Sequence, residues 1–284
     1  MVLIKTENLT HTYMKDSPFE AEALKGIDLT VNQGEFIGLI GPTGSGKSTL
    51  IQHFNGLLRP SSGSISVLGM DLSSKGVDFK KVREDIGLLF QYPEHQLFEE
   101  TIYADIAFGP KNMGLTPKEV EERVEDALKL VGLSVSEAKE RSPFSLSGGQ
   151  MRKVALAGVL AMRPKVLILD EPTAGMDPSS KAEILNRINI LNKEHGITII
   201  MVSHSMEEVA QIAKRVVVLY EGKIAADETI EQIFSLKNFI QNLGLDLPAY
   251  TKLAYKLHDE GIPVNTSVYT LNGIEEELIK QWNF

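Results

Sequence analysis

Short apolar runs alternate along this chain with stretches in which apolar side chains return every three or four residues. The short runs predict strands over residues 2–6, 24–31, 36–40, 64–68 and 86–90, and again over 166–169, 197–202, 216–220 and 224–227. Between Tyr13 and Ala23 the chain is polar and acidic and carries Pro18, which predicts a surface loop. A helix is expected over 46–55, after a Gly-rich turn, with Leu50, Ile51 and Phe54 apolar. From 93 to about 163 the pattern becomes helical. Its clearest piece is 117–131, where Val120, Val124, Leu128 and Val131 share one face, Thr116 can cap and Pro117 suits the first turn. A further helix is expected over 179–194, and Glu221-Gly222-Lys223 reads as a tight turn. After Thr229 the strand pattern stops. Alternating strands and amphipathic helices predict an α/β domain with a mainly parallel sheet over 1–233, its helical part at about 93–163. Residues 234–284 read as a small helical appendix.

Gly41-Pro42-Thr43-Gly44-Ser45-Gly46-Lys47-Ser48 fits G-x-x-x-x-G-K-S and lies between a predicted strand and a predicted helix. Glycines there let backbone N–H groups surround phosphates, and the following helix adds its dipole. Lys47 should reach the β- and γ-phosphates and the Ser48 hydroxyl should ligate Mg²⁺. Val166-Leu167-Ile168-Leu169 ends in Asp170 and Glu171. A buried strand would deliver Asp170 to the sheet edge, to hold Mg²⁺ through water, and Glu171 would polarise an attacking water. Without the phosphate loop, the two carboxylates would read as polar residues closing a strand.

Leu146-Ser147-Gly148-Gly149-Gln150 opens a predicted helix running to about 161 and offers a second anion site. One nucleotide does not need two such sites from one chain. The second is explained if it covers the γ-phosphate held by a partner; otherwise it is a Ser-Gly-Gly helix cap. Gln91 follows a predicted strand and could touch Mg²⁺ or the attacking water, or be a surface glutamine before Pro93. His204 could bond the γ-phosphate and orient water, or simply start a helix. Asp177 could organise a dimer seam, cap the helix at Pro178, or do both. Tyr13 could stack on a base, or be a core or loop aromatic.

Composition narrows this further. The 29 basic and 38 acidic residues give a net charge of −9, which argues against a nucleic-acid partner. There is no cysteine, so disulfides and thiolate metal sites are excluded. The start lacks the apolar stretch of a secretory signal, and no run approaches the ~18 apolar residues that span a bilayer. Work at a membrane would therefore require docking on an embedded protein.

Taken in order, Tyr13, Gly41 to Ser48, Gln91, Leu146 to Gln150, Asp170-Glu171, Asp177 and His204 resemble the nucleotide-binding subunit of an ATP-binding cassette (ABC) transporter. The resemblance spans about 1–235. It implies an α/β P-loop NTPase (RecA-like) core, an antiparallel β-subdomain, an inserted α-helical signature subdomain, and a head-to-tail dimer with two ATPs at its seam. It implies that Tyr13 stacks adenine, and that Gly41, Pro42, Thr43, Gly44, Ser45, Gly46, Lys47, Ser48 and Thr49 bind the phosphates and Mg²⁺. Gln91 is then the sensor, Glu171 the base and His204 the switch, while Ser147, Gly148, Gly149, Gln150 and Asp177 act in trans.

Gln91-Tyr92-Pro93-Glu94-His95-Gln96-Leu97-Phe98, Asp105-Ile106-Ala107-Phe108-Gly109-Pro110, Ala174-Gly175-Met176-Asp177 and Met151-Arg152-Lys153 are similar to energy-coupling-factor ATPases of vitamin and metal-ion importers. That group implies a second ATPase subunit, in a heterodimer or a homodimer. It also implies a transmembrane coupling protein, a substrate-binding membrane protein, a dimerising tail, and a place at the cytoplasmic face of the membrane. The rivals are an ATPase of another ABC transporter class and a soluble ABC ATPase acting on nucleic acid or the ribosome. The 97 residues between Ser48 and Leu146 leave no room for the long coiled coil of the repair types, and the chain has one cassette where ribosome-acting types have two.

Overall fold

The computed structural model describes residues 1–282; the last two residues of the expected appendix lie outside the described residues. The chain begins with β1 (Val2–Tyr13), β2 (Ala21–Asn32), β3 (Phe36–Ile40), α1 (Lys47–Phe54), β4 (Ser62–Val67), β5 (Met70–Asp71), α2 (Phe79–Asp85) and β6 (Ile86–Leu89). The helical stretch follows as α3 (Ile102–Asn112), α4 (Pro117–Val131), α5 (Val135–Glu140) and α6 (Gly148–Leu160). Then come β7 (Val166–Asp170), α7 (Pro178–Lys193), β8 (Thr198–Val202), α8 (Met206–Ile212), β9 (Arg215–Tyr220) and β10 (Lys223–Thr229). The chain closes with α9 (Ile230–Ser235), α10 (Lys237–Asn242), α11 (Ala249–Asp259) and α12 (Leu271–Trp282).

Two sheets result. One is antiparallel, in the order β2-β1-β4-β5; the other has the order β10-β9-β3-β8-β7-β6, parallel except for the antiparallel edge strand β10. The parallel strands are covered on both faces, which is why they read as unbroken apolar runs. Their side chains still sort by alternation. Leu167 and Leu169 join the core under the helical subdomain, whereas Val166 and Ile168 join the core shared with α1 and the antiparallel sheet.

β1 runs seven residues past the expected strand end. Asn8 sits in the left-handed region (φ 46°), and the pairing with β2 shifts register between Thr6 and Leu9. This bulge interrupts the inward–outward alternation of the strand, which resumes beyond it with Leu9 and His11 turned inward. The expected loop before Ala23 shrinks accordingly. In α4, Thr116 and Glu119 form a reciprocal cap, and Val120, Val124, Ala127, Leu128 and Val131 are buried. At the C-terminal end, Phe234, Ile240 and Leu247 pack into the core of the main domain. Ala254, Val264, Val268 and Ile274 form a separate small core under α11 and α12.

α1 also buries His53 fully, against His11 with ring centroids 4.8 Å apart. Burial, reinforced by the neighbouring His11, holds the His53 pKa down at about 4, against an ordinary 6.5. The unfolded chain therefore takes up a proton that the folded chain refuses. This contribution to stability is complete above pH 6.5 and is lost as pH falls towards 4. Urea unfolding at about pH 7 and about pH 5 is expected to show a smaller drop for His53→Leu than for the parent chain. Equal drops would remove His53 as the source of the acid sensitivity.

Candidate nucleotide site

Strand register builds the site. Leu39 pairs with Val202, Asp170 with Val202, and Leu89 with Leu169, so β3, β8, β7 and β6 finish level with one another. The residues that follow these ends are Gly41, Ser203-His204, Glu171 and Phe90-Gln91, which emerge along one edge of the sheet. This is the C-terminal edge, where open parallel sheets carry their ligands. A cleft of about 390 Å³ opens there. Tyr13, Thr43, Gly44, Gly46, Lys47, Ser48, Thr49, Gln91, Asp170, Glu171 and His204 line it.

The phosphate loop is shaped by close backbone approach. Gly46 is left-handed (φ 104°), and a Cβ there would lie 2.6 Å from the Ala23 carbonyl oxygen. A Cβ on Gly41 would lie 2.1 Å from that of Leu219. No side chain caps α1, so its first N–H groups are free for an anion. Lys47 is buried and folded over the loop, donating to the carbonyls of Gly41 (2.7 Å) and Pro42 (3.0 Å). Burial lowers its pKa, and Glu171 and Asp170 work against that shift. Ser45 Oγ is buried without a hydrogen-bond partner among the described residues. Pro42, Thr43, Gly44 and Ser45 also line a second cleft of about 430 Å³, facing Asn242, Leu243 and Gly244.

Asp170 ends β7 with its carboxylate in the same cleft as the Ser48 hydroxyl. Burial raises its pKa, while Lys47 and Ser48 pull the other way. A serine hydroxyl beside a carboxylate is a hard oxygen pair, the donor set that Mg²⁺ takes together with water and phosphate oxygens. Glu171 leaves the strand in the left-handed region (φ 50°), a strained position for a residue with a side chain, held by its N–H bond to the Val202 carbonyl at 3.0 Å. Its pKa is pushed up to about 7, chiefly by burial and then by the charges of Asp170 and Glu208. Glu171 Oε1 is buried and makes no hydrogen bond among the described residues. His204 Nε2 stands 3.4 Å from it, without the alignment of a hydrogen bond. Burial and Lys47 lower the His204 pKa, which favours the neutral imidazole.

Tyr13 ends β1 with its ring 39% exposed. Its hydroxyl meets Thr49 Oγ1 at 3.1 Å, and its ring packs edge-on against His11 at 4.4 Å. A ring held this way can serve as a platform for a base.

Ser147, Gly148, Gly149, Gln150 and Asp177 do not line this cleft. Ser147 caps α6 in a reciprocal pair with Gln150 (3.4 and 3.2 Å), which engages the Gln150 amide inside the chain. Asp177 caps α7, accepting from the N–H groups of Ser179 and Ser180 at 3.0 Å; these bonds, led by those to Ser180, lower its pKa. Neither Gly148 nor Gly149 has a positive φ, and a Cβ on Gly148 would meet nothing within 4 Å. The fold of this chain therefore gives no reason for Gly148 to be glycine.

Two features of the site were not read from the sequence. Arg152, 6% exposed, meets Glu94 at 3.3 Å and so ties α6 to the turn after Gln91. Glu208 in α8 is equally buried and bonds to Thr173 and Ser203. Nothing in the sequence signalled the first pair, whose members lie 58 positions apart. For Glu208 the signal was present but faint, an apolar phase of Met206, Val209 and Ala210 in a helix of only seven residues.

The family model described as "ABC transporter" matches residues 24–174. The chain is 50% identical to the energy-coupling factor transporter ATP-binding protein EcfA2 of Clostridium tetani, covering 99% of this chain and 97% of that one. It is 52% identical to the protein of the same name from Symbiobacterium thermophilum, over 94% and 92% of the two chains. Among solved structures, cbiO1 from Clostridium perfringens, described as part of the ABC transporter complex cbiONQ, superposes with a TM-score of 0.76. It is 39% identical, over 90% of this chain and 99% of that one. The ATP-binding cassette MJ0796, solved as a dimer in a post-hydrolysis state bound to ADP and Pi, gives a TM-score of 0.71 at 29% identity, over 80% and 98%. With its phosphate loop, paired carboxylates and histidine gathered at one sheet edge, the chain belongs to the ABC transporter ATPases, among the energy-coupling-factor ATP-binding subunits.

Proposed function

We propose that this chain binds and hydrolyses ATP to drive an importer of vitamins or metal ions from the cytoplasmic face of the membrane. The observation that carries the reading is the cleft in which Lys47, Asp170, Glu171 and His204 converge while the second anion site stays outside it. The free N–H groups of α1 and Lys47 hold the triphosphate, and Tyr13 stacks the adenine. Ser48 and Asp170, with Gln91, would hold Mg²⁺, partly through water. Bound there with the nucleotide, it would supply charge neutralisation to the phosphates. Glu171 accepts the proton of the attacking water, and the neutral His204 orients that water and bonds the γ-phosphate. Ser147, Gly148, Gly149 and Gln150 seal the partner's nucleotide, with Asp177 at the seam.

The partners proposed are a second ATPase subunit, a transmembrane coupling protein and a substrate-binding membrane protein. Among the described residues no helix is long and apolar enough to cross a membrane, so contact with the bilayer would run through those subunits. A groove of about 580 Å³ beside the turn after Gln91 supports the docking. Phe98 (56% exposed) and Phe108 (44%) meet edge-to-face at its rim, as large apolar anchors for a helix of the membrane subunit. Arg152 and Glu94 would carry motion of α6 to that groove. The appendix would dimerise through the apolar face bearing Leu253, Leu271 and Ile279.

Coexpression tests this. The tagged chain is expected to bring the second ATPase and both membrane subunits out of detergent-solubilised membranes. The double variant Phe98→Ser, Phe108→Ser is expected to lose the membrane subunits and keep the ATPase pair. Full retention of the membrane subunits by that variant would contradict the groove assignment.

A further inference from the structure

Glu208 is a carboxylate at 6% exposure, and buried carboxylates persist only where strong partners hold them. Both of its oxygens are engaged. Oε2 accepts from Thr173 Oγ1 at 2.6 Å and from Ser203 Oγ at 3.1 Å. Oε1 receives Lys181 Nζ at 3.3 Å. Ser203 Oγ accepts in turn from the Ser205 N–H at 3.0 Å, so its single proton is committed to Glu208.

What these partners have in common is their place in the chain. Thr173 lies two residues past Glu171 and Ser203 immediately precedes His204. Lys181 belongs to α7, the helix capped by Asp177. Beyond Asp170 and Val202 the strands have ended; one last bond, from the Glu171 N–H to the Val202 carbonyl at 3.0 Å, holds the Glu171 backbone, and the sheet ladder does not extend to Thr173 or Ser203. One carboxylate of α8 bridges them instead.

We infer that Glu208 is a positioning residue: by binding Thr173 and Ser203 on a single oxygen, it sets the separation of Glu171 and His204 required for water attack. This rests on the proposed reading of Glu171 as base and His204 as its partner. Glu208 does not line the cleft. Its removal lets two active-site segments drift, and reaction rates respond steeply to displacements of about 1 Å. It does not touch the phosphate loop or Tyr13, which carry most of the proposed nucleotide contacts, so ATP affinity is expected to change little.

The experiment measures kcat and KM for ATP in the working ATPase pair. Glu208→Ala is expected to lower kcat at least about tenfold with KM within about twofold. Glu208→Gln, whose amide oxygen can still accept both hydroxyls, is expected to restore kcat to within about threefold of the parent. Thr173→Val removes one hydroxyl at constant shape and is expected to lower kcat about fivefold at unchanged KM, which decides the matter if the alanine variant does not fold. An unchanged kcat in Thr173→Val or Glu208→Ala, a parallel loss of ATP affinity, or a glutamine variant as slow as the alanine one each overturns the inference. Glu171→Gln run alongside separates the two claims. Parent-like turnover there removes the base assignment, whereas a dead Glu171→Gln beside fully active Glu208 and Thr173 variants removes only the positioning role.

Discussion

Glu171→Gln is expected to lower ATP hydrolysis about 10³-fold while leaving Mg·ATP binding intact, since general-base groups contribute about 10²–10⁴ to rate. The substitution keeps the shape of the side chain and the strained turn at φ 50°, which glutamine bears as well as glutamate. What it removes is the ability to take a proton at Oε1, the buried oxygen that makes no hydrogen bond among the described residues. Folding should gain rather than lose, because one of three neighbouring carboxylates disappears; Asp170 and Glu208 both push the Glu171 pKa upward. With binding intact and turnover stopped, Mg·ATP is expected to hold the variant in an ATPase dimer that can be counted in an analytical ultracentrifuge. Phosphate release at the parent rate would end the assignment of Glu171 as base.

How this site was legible in the sequence has a physical cause. Lys47 and Ser48 follow Gly46, which must be left-handed and lacks room for a Cβ, so backbone geometry imposes the motif. Asp170 and Glu171 end a strand buried on both faces, and such strands are apolar throughout, so two carboxylates stand out. His204 and Gln91 were weaker signals alone and gained meaning only from order along the chain. Register then brings all four strand ends level, which no local pattern encodes. The pieces that escaped notice are those with short or broken periodicity. Asn8 interrupts β1, β5 has two residues, and α2 and α8 have seven each. The appendix was read from 234 because the strand pattern had stopped. Yet Phe234, Ile240 and Leu247 belong to the main core, and only α11 and α12 build around residues of their own.

Arg152 and Lys153 show the same limit from another side. On α6 they are consecutive, about 100° apart around the helix. Arg152 reaches Glu94 in the turn after Gln91, and Lys153 reaches Glu183 of α7 at 2.6 Å. The helix that opens with the signature is thus tied to the turn after Gln91 and to the helix that Asp177 caps. If Gln91 and the signature contact γ-phosphates as proposed, loss of the γ-phosphate would bias both ties, as a two-state switch requires.

Gly148→Asp separates what the fold of the chain needs from what the dimer needs. Gly148 occupies the first position of α6, with a non-positive φ and open space where a Cβ would stand. An aspartate there replaces the residue least suited to helices apart from proline and puts a negative charge at a helix N-terminus, so the isolated chain is expected to gain about 0.5–1 kcal/mol. Its own phosphate loop is elsewhere, so Mg·ATP binding by the isolated chain should not change. In the closed dimer the same carboxylate would face the partner's γ-phosphate. Two like charges about 4 Å apart repel by about 4 kcal/mol at an intermediate dielectric, enough to weaken ATP-driven association by at least about 10²-fold. Sedimentation in the Glu171→Gln background reads association without hydrolysis, and thermal unfolding reads the fold. A more stable chain that still binds ATP and no longer pairs is the outcome that a signature acting in trans demands. Undiminished pairing would confine Ser147, Gly148 and Gly149 to capping α6 and leave the γ-phosphate to one subunit.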